Sequence, residues 1–295
     1  MTKIATCAFD GSYDLEVNLK RHNAYIDEAA DAGAELVVFP ECSLQGYPPD
    51  LDKFYAQRLL DAWEGAEAVP DGPSVVALAA HAADRGIHLI YGLNERGEQA
   101  GVIYNTMVLT GPDGYIGKYR KVHVGLTEQL TWRRGMDWPV FDTPVGRIGM
   151  LICYDKMWPE STRELTLRGA DILVMSTAWC YVTGSATDDA NPWIEQYKLF
   201  DRARAAENSR WFVSSNFVGD LGGACFFGLS QIVDPQGQIV ATTGTTEAGL
   251  AMADIDVPGG IAKAQSQFFG PRLIRDRRDE TYKAQRGEIP IVIDG

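Results

Sequence analysis

Three residues of this chain carry side chains that together could cleave an amide bond. Glu41 follows the short apolar segment 36–39, Lys121 follows the second arm of a hairpin, and Cys153 ends the apolar run 147–152. A thiol needs a base before it becomes a nucleophile, an amide carbonyl needs positive charge where its oxygen becomes anionic, and a leaving amine needs a proton. A glutamate, a lysine and a cysteine can supply these three functions.

Each of these residues has a simpler explanation when it is taken alone. A buried cysteine is more often inert packing than a nucleophile, a carboxylate after a strand is more often a solvated loop acid, and a lysine in a loop is usually a surface residue. Their position in the fold decides whether they could take part in catalysis. A group held at the carboxyl ends of the strands of a sheet can have a shifted pKa and take part in proton transfer.

The segment around Cys153 predicts a strand, a helix and a second strand. Residues 147–152 are mainly apolar, which is typical of a strand covered on both faces. A helix is predicted over 159–168, with a proline in its first turn and Gly169 just past its end, and a second strand over 172–175. In such a unit ligands lie beyond the carboxyl ends of the strands, so Cys153 is placed for chemistry.

The rest of the chain alternates between apolar segments and helical patterns, which predicts an α/β protein. Parallel packing of these elements would bring the ends that carry Glu41, Lys121 and Cys153 to one edge of a sheet. The further predicted strands are 4–9, 36–39, 87–92, 103–110, 115–119, 139–143, 211–215, 226–233, 238–243 and 250–256, and the further helices are 15–32, 74–85 and 192–207.

Composition indicates an ordinary soluble globular protein. The 295 residues are 45% hydrophobic and 23% charged, and the net charge of −13 argues against nucleic acid or an anionic membrane as a partner, since both need a basic face. The chain has no apolar stretch of about eighteen residues and no signal-peptide pattern. We therefore expect a cytoplasmic location.

Nothing in the sequence indicates a metal or an organic cofactor, and we expect neither. The five cysteines are widely spaced and include no CxxC pair, so they predict neither a disulfide framework nor a zinc site. Residues 219–223 are rich in glycine but fit neither a phosphate-binding loop nor a dinucleotide fingerprint. The Gly-x-Ser-x-Gly motif of many serine hydrolases does not occur.

Three sequence blocks, taken together and in this order, resemble the nitrilase superfamily of carbon–nitrogen hydrolases. The strand pattern agrees with the fold of that superfamily over residues 1–256, and the resemblance implies a four-layer αββα sandwich of the nitrilase-superfamily type. The blocks are Phe39-Pro40-Glu41 followed by Gly46-Tyr47-Pro48, then Lys118-Tyr119-Arg120-Lys121-Val122-His123, then Cys153-Tyr154-Asp155 with Trp158-Pro159-Glu160 and Gly169-Ala170.

The resemblance also implies roles for individual residues. The Glu-Lys-Cys triad of the superfamily falls on Glu41, Lys121 and Cys153, and its frequent second glutamate falls on Glu128. Glu41 would act as the base for Cys153. Lys121 and the backbone N–H of Tyr154 would hold the oxyanion, and Glu128 would orient Lys121.

The resemblance implies an assembly as well. Residues 1–256 would form the carbon–nitrogen hydrolase domain, and residues 257–295 would form a C-terminal tail that packs at a subunit interface. We therefore expect a homodimer or a larger homo-oligomer.

The residues that follow Cys153 indicate which reaction of the superfamily to expect. Cys153-Tyr154-Asp155 is more similar to the amidase and carbamoylase branches than to the Cys-Trp-Glu of true nitrilases. We expect an amidase that cleaves a small amide into an acid and ammonia or an amine through an acyl-thioester. An N-carbamoyl amidohydrolase and then a true nitrilase are the enzymatic alternatives, and an oligomeric binding scaffold without activity is the other.

The predicted substrate is a small molecule that is uncharged or cationic. The loop after residue 175 carries Asp188 and Asp189 but no arginine that could clamp a carboxylate. Trp193 lies on a predicted helix and is either a core residue or part of the pocket wall. The aromatic candidates for substrate binding are Tyr47, Tyr154 and Trp179.

Overall fold

Strands form at nearly all the predicted apolar runs, and helices cover them on two sides. The computed structural model describes residues 1–47, 55–181, 191–267 and 270–288. Its strands are β1 Thr2–Phe9, β2 Leu36–Val38, β3 His88–Arg96, β4 Ile103–Gly111, β5 Gly114–Arg120, β6 Val140–Thr143, β7 Gly146–Ile152, β8 Ile172–Ser176, β9 Trp211–Leu221, β10 Ala224–Phe227, β11 Gln231–Val233, β12 Ile239–Thr242 and β13 Gly249–Ile255. Its α-helices are α1 Leu15–Asp31, α2 Tyr55–Glu64, α3 Pro73–Arg85, α4 Pro159–Leu167, α5 Pro192–Asn208, α6 Val257–Ser266 and α7 Leu273–Asp276, and its 3-10 helices are Leu126–Leu130, Cys153–Met157 and Asp279–Thr281.

Nine of the strands follow one path, β5-β4-β3-β2-β1-β9-β8-β7-β6, and β10 to β13 pair beside it. The parallel strands β1 and β9 join the two halves of this sheet, and Ala8 pairs with Asn216 at the junction. On one side β2 and β3 run parallel to β1, and on the other side β8 and β7 run parallel to β9. The carboxyl ends of these strands therefore lie at the same edge of each half.

Alternation of side chains along the first half of the sheet separates two cores. In β2, Val37 belongs to an apolar cluster with Ile26 of α1 and Leu78 of α3, whereas Leu36 and Val38 belong to a different cluster. Successive residues of a strand point to opposite faces, so one face of β2 lies under the helices and the other faces the middle of the molecule.

The second half of the sheet repeats this arrangement. Leu151 of β7 and Leu173 of β8 cluster with Leu165 of α4 and Ala205 of α5. Met150 faces the other way and shares the middle core with the inward residues of β2. The order of layers is thus helices, sheet, sheet, helices, and the predicted four-layer αββα sandwich is confirmed.

One prediction on the later elements is wrong. Residues 226–233 do not form one strand, because Gly228 and Leu229 have positive φ angles of 60° and 56° and interrupt the extended backbone between β10 and β11. Helix α6 begins at the first residue of the expected C-terminal tail, and the Asp256 carboxylate caps it by accepting the N–H of Gly259. In the described part of the chain, no helix is both long and apolar enough to cross a membrane.

Gly92 of β3 allows the turn after β2 to lie directly on the sheet. Its N–H donates to the carbonyl of Pro40 over 3.1 Å, and its own carbonyl accepts the N–H of Leu44 over 3.2 Å. A Cβ atom at position 92 would lie 2.3 Å from the backbone nitrogen of Cys42 and 2.8 Å from the carbonyl carbon of Glu41. Only a residue without a side chain fits under the turn that carries Glu41.

Gly92→Ala is expected to destabilise the protein and displace this turn. The added methyl group meets backbone atoms that cannot rotate away, and overpacking of this kind costs about 1–3 kcal/mol. The free energy of unfolding in urea measures the effect. Gly244→Ala is the matched control, because a Cβ atom there has no atom within 4 Å; equal stability of the two variants would contradict the close approach at Gly92.

Candidate active site

The carboxylate of Glu41 and the ammonium of Lys121 meet at the carboxyl ends of β2 and β5. Glu41 lies in the turn after β2, Lys121 directly follows β5, and both side chains are fully buried. Lys121 Nζ donates to Glu41 Oε1 over 2.7 Å, and Asn105 Nδ2 donates to the same oxygen over 2.6 Å. The glutamate is thus held by a cation and an amide at one of its two oxygens.

Glu128 is the second carboxylate around Lys121. It lies in the 3-10 helix Leu126–Leu130, and Lys121 Nζ donates to its Oε1 over 2.7 Å and to its Oε2 over 3.0 Å. The N–H of Gly125 donates to Oε2, and the hydroxyl of Tyr47 donates to Oε1 over 2.7 Å. Tyr47, which the sequence suggested for substrate binding, therefore holds Glu128 in place.

Cys153 lies at the sharp turn between β7 and the 3-10 helix Cys153–Met157; the residue as a whole is partly exposed, but its sulfur is buried. Its φ angle of 45° falls in the left-handed region, which costs a residue other than glycine roughly 1–3 kcal/mol. The preceding Ile152 pairs with Ser176, which brings Thr177 alongside Cys153. The Thr177 hydroxyl lies close enough to the sulfur to lower the pKa of the thiol.

The thiol of Cys153 responds to the charges of Glu41 and Lys121, although β7 and β2 belong to different halves of the sheet. Burial of the sulfur and, after it, the negative charge of Glu41 raise the pKa of Cys153 to about 12, although the positive charge of Lys121 opposes them. The thiol therefore keeps its proton near neutral pH. A base must remove that proton before the sulfur can act as a strong nucleophile.

The two charged partners differ in how easily they change protonation. Burial is the main cause that raises the pKa of Glu41 to about 7, with Lys121 opposing and Glu128 adding to it. Burial lowers the pKa of Lys121, but the carboxylates of Glu128 and Glu41 outweigh burial and hold that pKa well above its ordinary value. Lys121 thus stays a cation, while Glu41 can gain or lose a proton near neutrality.

One oxygen of Glu41 is free for chemistry. Oε2 is buried and has no hydrogen-bond partner among the described residues, whereas Oε1 accepts two hydrogen bonds. A buried polar atom without a partner is uncommon because leaving it unpaired costs free energy. This oxygen can accept a proton from a neighbouring thiol or from a water molecule.

The aromatic residues suggested from the sequence have different surroundings. Tyr154 is 37% exposed, and its backbone N–H lies in the first turn of a 3-10 helix, where amides have no carbonyl partner within the helix. Trp179 is buried and packs edge-on against Tyr197. Trp193 is 41% exposed on α5, which excludes the core position that was one of its two interpretations. Residues 188–189 lie outside the described residues.

A second buried ammonium, which the sequence did not reveal, lies three residues after Cys153. Lys156 Nζ donates to Asp201 Oδ1 over 2.7 Å, and both side chains are fully buried. The same nitrogen lies 3.5 Å from the ring centroid of Tyr197 and 4.4 Å from that of Trp179. Helix α5, which carries Asp201, is thereby tied to the turn of the candidate nucleophile.

Sequence reasoning also missed the partners that hold the candidate residues. Asn105 is a polar residue inside the apolar strand β4, and this interruption was the signal that could have marked it. Asp201 gave no such signal, because a carboxylate on a helix is usually solvated. Its partner Lys156 is 45 residues away in the chain, so spacing could not connect them.

A family model described as carbon-nitrogen hydrolase matches residues 3–263 of this chain. Among curated proteins, a nitrilase of Pyrococcus abyssi is 31% identical over 266 residues, which cover 90% of this chain and 92% of that protein. The omega-amidase NIT2 of Homo sapiens is 31% identical over 279 residues, which cover 91% of this chain and 92% of that protein.

Solved structures have the same fold. The crystal structure of Saccharomyces cerevisiae Nit3, a member of branch 10 of the nitrilase superfamily, matches with a TM-score of 0.79 and 28% identity, and the match covers 93% of this chain and 96% of that chain. An amidase from Nesterenkonia sp. AN1 matches with a TM-score of 0.74 over 96% of both chains. At 24% identity this second likeness concerns the fold alone.

Lys156→Met is expected to lower the free energy of unfolding by about 3–5 kcal/mol, because it leaves Asp201 buried without a cation. The double variant Lys156→Met, Asp201→Asn removes both charges and lets the new amide oxygen accept the Ser214 hydroxyl, which donates to Asp201 over 2.6 Å. It should recover most of the loss in urea unfolding. A double variant no more stable than the single one would show that the unpaired charge is not the cause.

Proposed function

The chain belongs to the carbon-nitrogen hydrolase family, and from this we propose that it is a cysteine-dependent amidase that cleaves a small, non-peptide amide. The observation that carries the proposal is the buried Oε2 of Glu41, which has no hydrogen-bond partner in the described part of the chain, in the same site as a protonated Cys153 thiol. A base that can gain or lose a proton near neutrality and a thiol that holds its proton are the reactants that amide cleavage through a thioester requires.

In the proposed acylation step, Glu41 Oε2 takes the proton of Cys153 as the sulfur attacks the amide carbon. The carbonyl oxygen becomes an oxyanion, which Lys121 Nζ and the backbone N–H of Tyr154 stabilise. Removal of one such donor typically lowers kcat about 10²–10³-fold. The tetrahedral intermediate then breaks its C–N bond, and Glu41 returns the proton to the leaving nitrogen, which departs as ammonia or an amine.

The proposed deacylation step uses the same base. Glu41 removes a proton from a water molecule, and the resulting hydroxide attacks the thioester carbon. The C–S bond breaks, the acid is released, and Glu41 gives the proton to the sulfur of Cys153. The raised pKa of Glu41 supports both directions of transfer, because a carboxylate with a pKa near the operating pH can both accept and donate a proton.

We propose that Glu128 keeps Lys121 in position for the oxyanion. The three ammonium protons of Lys121 are directed to Glu41 Oε1 and to both oxygens of Glu128, and the oxyanion would replace the longest of these contacts, the 3.0 Å hydrogen bond to Glu128 Oε2. Tyr47 and Gly125 fix Glu128 from the other side. A lysine held in this way needs little reorganisation when the negative charge develops.

The substrate class proposed is an uncharged or cationic amide. Both fully buried lysines of the site already face carboxylates, Lys121 with Glu41 and Glu128 and Lys156 with Asp201. Residues 182–190 carry two aspartates and no arginine or lysine in the sequence. Among the described residues, no fully buried lysine of the site is left without a carboxylate partner, so a substrate carboxylate would add negative charge there.

The pH dependence of kcat/KM tests the role of Glu41. The base form of Glu41 is the ionised one, so the rate should rise with pH and level off above an apparent pKa of about 7. Glu41→Gln should abolish turnover, whereas Glu195→Gln, at a side chain that is 66% exposed on α5, should leave the profile unchanged. A wild-type profile that is flat between pH 5 and 9 would contradict Glu41 as the base.

Ammonia release from a panel of substrates tests the reaction and the substrate class. We expect release from pentanamide, slower release from the anionic succinamate, and none from either with Cys153→Ala. Release only from N-carbamoyl amino acids or only from nitriles would favour the carbamoyl amidohydrolase or the nitrilase instead. No release from any of them, together with iodoacetamide labelling of Cys153 no faster than that of free cysteine, would support the binding scaffold.

Cytoplasmic location, a homo-oligomeric assembly and the separation of a tail from residue 257 onward stay predictions. Size-exclusion chromatography with light scattering measures the assembly directly.

A further inference from the structure

Asp155 is a buried carboxylate that contacts two segments of the candidate site. It is fully buried in the 3-10 helix that follows β7. Its Oδ1 accepts the backbone N–H of His123 over 2.8 Å and lies 2.9 Å from Nδ1 of the same residue. Its Oδ2 accepts the hydroxyl of Tyr119 over 2.7 Å and the backbone N–H of Ile152 over 2.8 Å.

The partners of Asp155 flank two of the proposed catalytic residues. Tyr119 and His123 lie two residues before and two residues after Lys121, and Ile152 directly precedes Cys153. One carboxylate thus joins the segment that carries the proposed oxyanion donor to the turn that carries the proposed nucleophile. All the heavy-atom distances in this junction are within the range of strong hydrogen bonds.

The contacts of Asp155 are important because backbone hydrogen bonds between strands do not connect the segment of Lys121 to the turn of Cys153. β5 and β7 are far apart on the path of the sheet and share no ladder of hydrogen bonds. The relative position of Lys121 and Cys153 therefore depends on side-chain contacts between the two halves. A misplacement of about 1 Å between reacting groups can cost about 10²-fold in rate.

We propose that Asp155 is a positioning residue that sets the place of the Lys121 ammonium relative to the Cys153 sulfur. This proposal rests on the proposed function, since it assigns Asp155 a part in building the oxyanion site of that reaction. Asp155 does not touch the reacting atoms; it acts through the backbone of both segments.

Asp155→Asn tests the proposal at the level of single atoms. The variant keeps the shape of the side chain but replaces one acceptor oxygen with an NH₂ group. If the NH₂ group takes the place of Oδ1, it faces the N–H of His123, and if it takes the place of Oδ2, it faces the N–H of Ile152. Neither backbone donor can turn into an acceptor, so in both orientations one segment loses its anchor.

The measurement is the rate at which p-nitrophenyl acetate acylates Cys153, followed by release of p-nitrophenolate. It is made for the wild type, Asp155→Asn, Lys121→Met and the double variant, with each rate corrected for the folded fraction found by urea unfolding. We expect Asp155→Asn to slow acylation about 30–100-fold in the wild type but less than about 3-fold in the Lys121→Met background, because residues that act as a unit are not additive. Asp142→Asn, at a side chain that is 85% exposed, is the control and should acylate at the wild-type rate.

Tyr119→Phe provides a second test that does not bury an unpaired charge. It removes the hydroxyl that donates to Asp155 and accepts the N–H of Val122 over 3.1 Å, and it keeps the ring, which stacks on Trp138 with centroids 5.4 Å apart. We expect acylation to slow about 3–10-fold with an unchanged KM for the amide. If Lys121→Met does not fold, the acylation rate of Tyr119→Phe tests the positioning role of Asp155 by itself.

The outcomes separate this proposal from the proposed function. Equal slowing by Asp155→Asn in both backgrounds, or wild-type acylation by Tyr119→Phe, would overturn the positioning role while the cysteine mechanism stands. A wild-type protein whose Cys153 is not acylated at all, and which releases no ammonia from amides, would overturn the proposed function and this proposal with it.

Discussion

The buried ammonium of Lys121 between two carboxylates is the interaction on which the rest of the site depends. Removing a cation from water is costly, and the cost is offset only when its hydrogen bonds are satisfied by well-placed acceptors. Glu41 and Glu128 supply those acceptors at 2.7 Å. Two carboxylates around one ammonium leave an excess of negative charge, which together with burial explains why one of the carboxylates has a pKa near neutrality.

The surrounding polar side chains each hold one partner of this ion cluster in place. Asn105 occupies one oxygen of Glu41, and Tyr47 and Gly125 occupy both oxygens of Glu128. The consequence is selective: among the described residues Oε1 of Glu41 has two donors and Oε2 has none, so Oε2 is the oxygen available to act as the proposed base. Burial raises the pKa of the cysteine thiol in the same region, which suits the proposed proton transfer from the thiol to Glu41.

The turn that begins at Cys153 has a strained backbone and is held from two sides. The positive φ of Cys153 persists only where the surrounding structure enforces it. On the side of helix α5, Lys156 pairs with Asp201, and Arg204 Nε donates to the carbonyl of Lys156 over 2.9 Å. On the side of Lys121, the carboxylate of Asp155 accepts the hydroxyl of Tyr119 and the backbone N–H of His123. These anchors come from different halves of the protein, so the turn depends on the assembled fold.

Local sequence determined much of this protein. The strand, helix and strand around Cys153 follow from apolar runs, a proline in a first turn and Gly169 past a helix end, and these signals act within a few residues. Residue type and order alone indicated which side chains could do chemistry. Tertiary structure decided the rest: Cys153 faces Glu41 and Lys121 from the opposite half of the sheet rather than from one edge of adjacent parallel strands, and Tyr47 holds a glutamate through its hydroxyl. The physical reason is that burial, charge partners and pKa values depend on which distant segments pack together, and no local pattern records that.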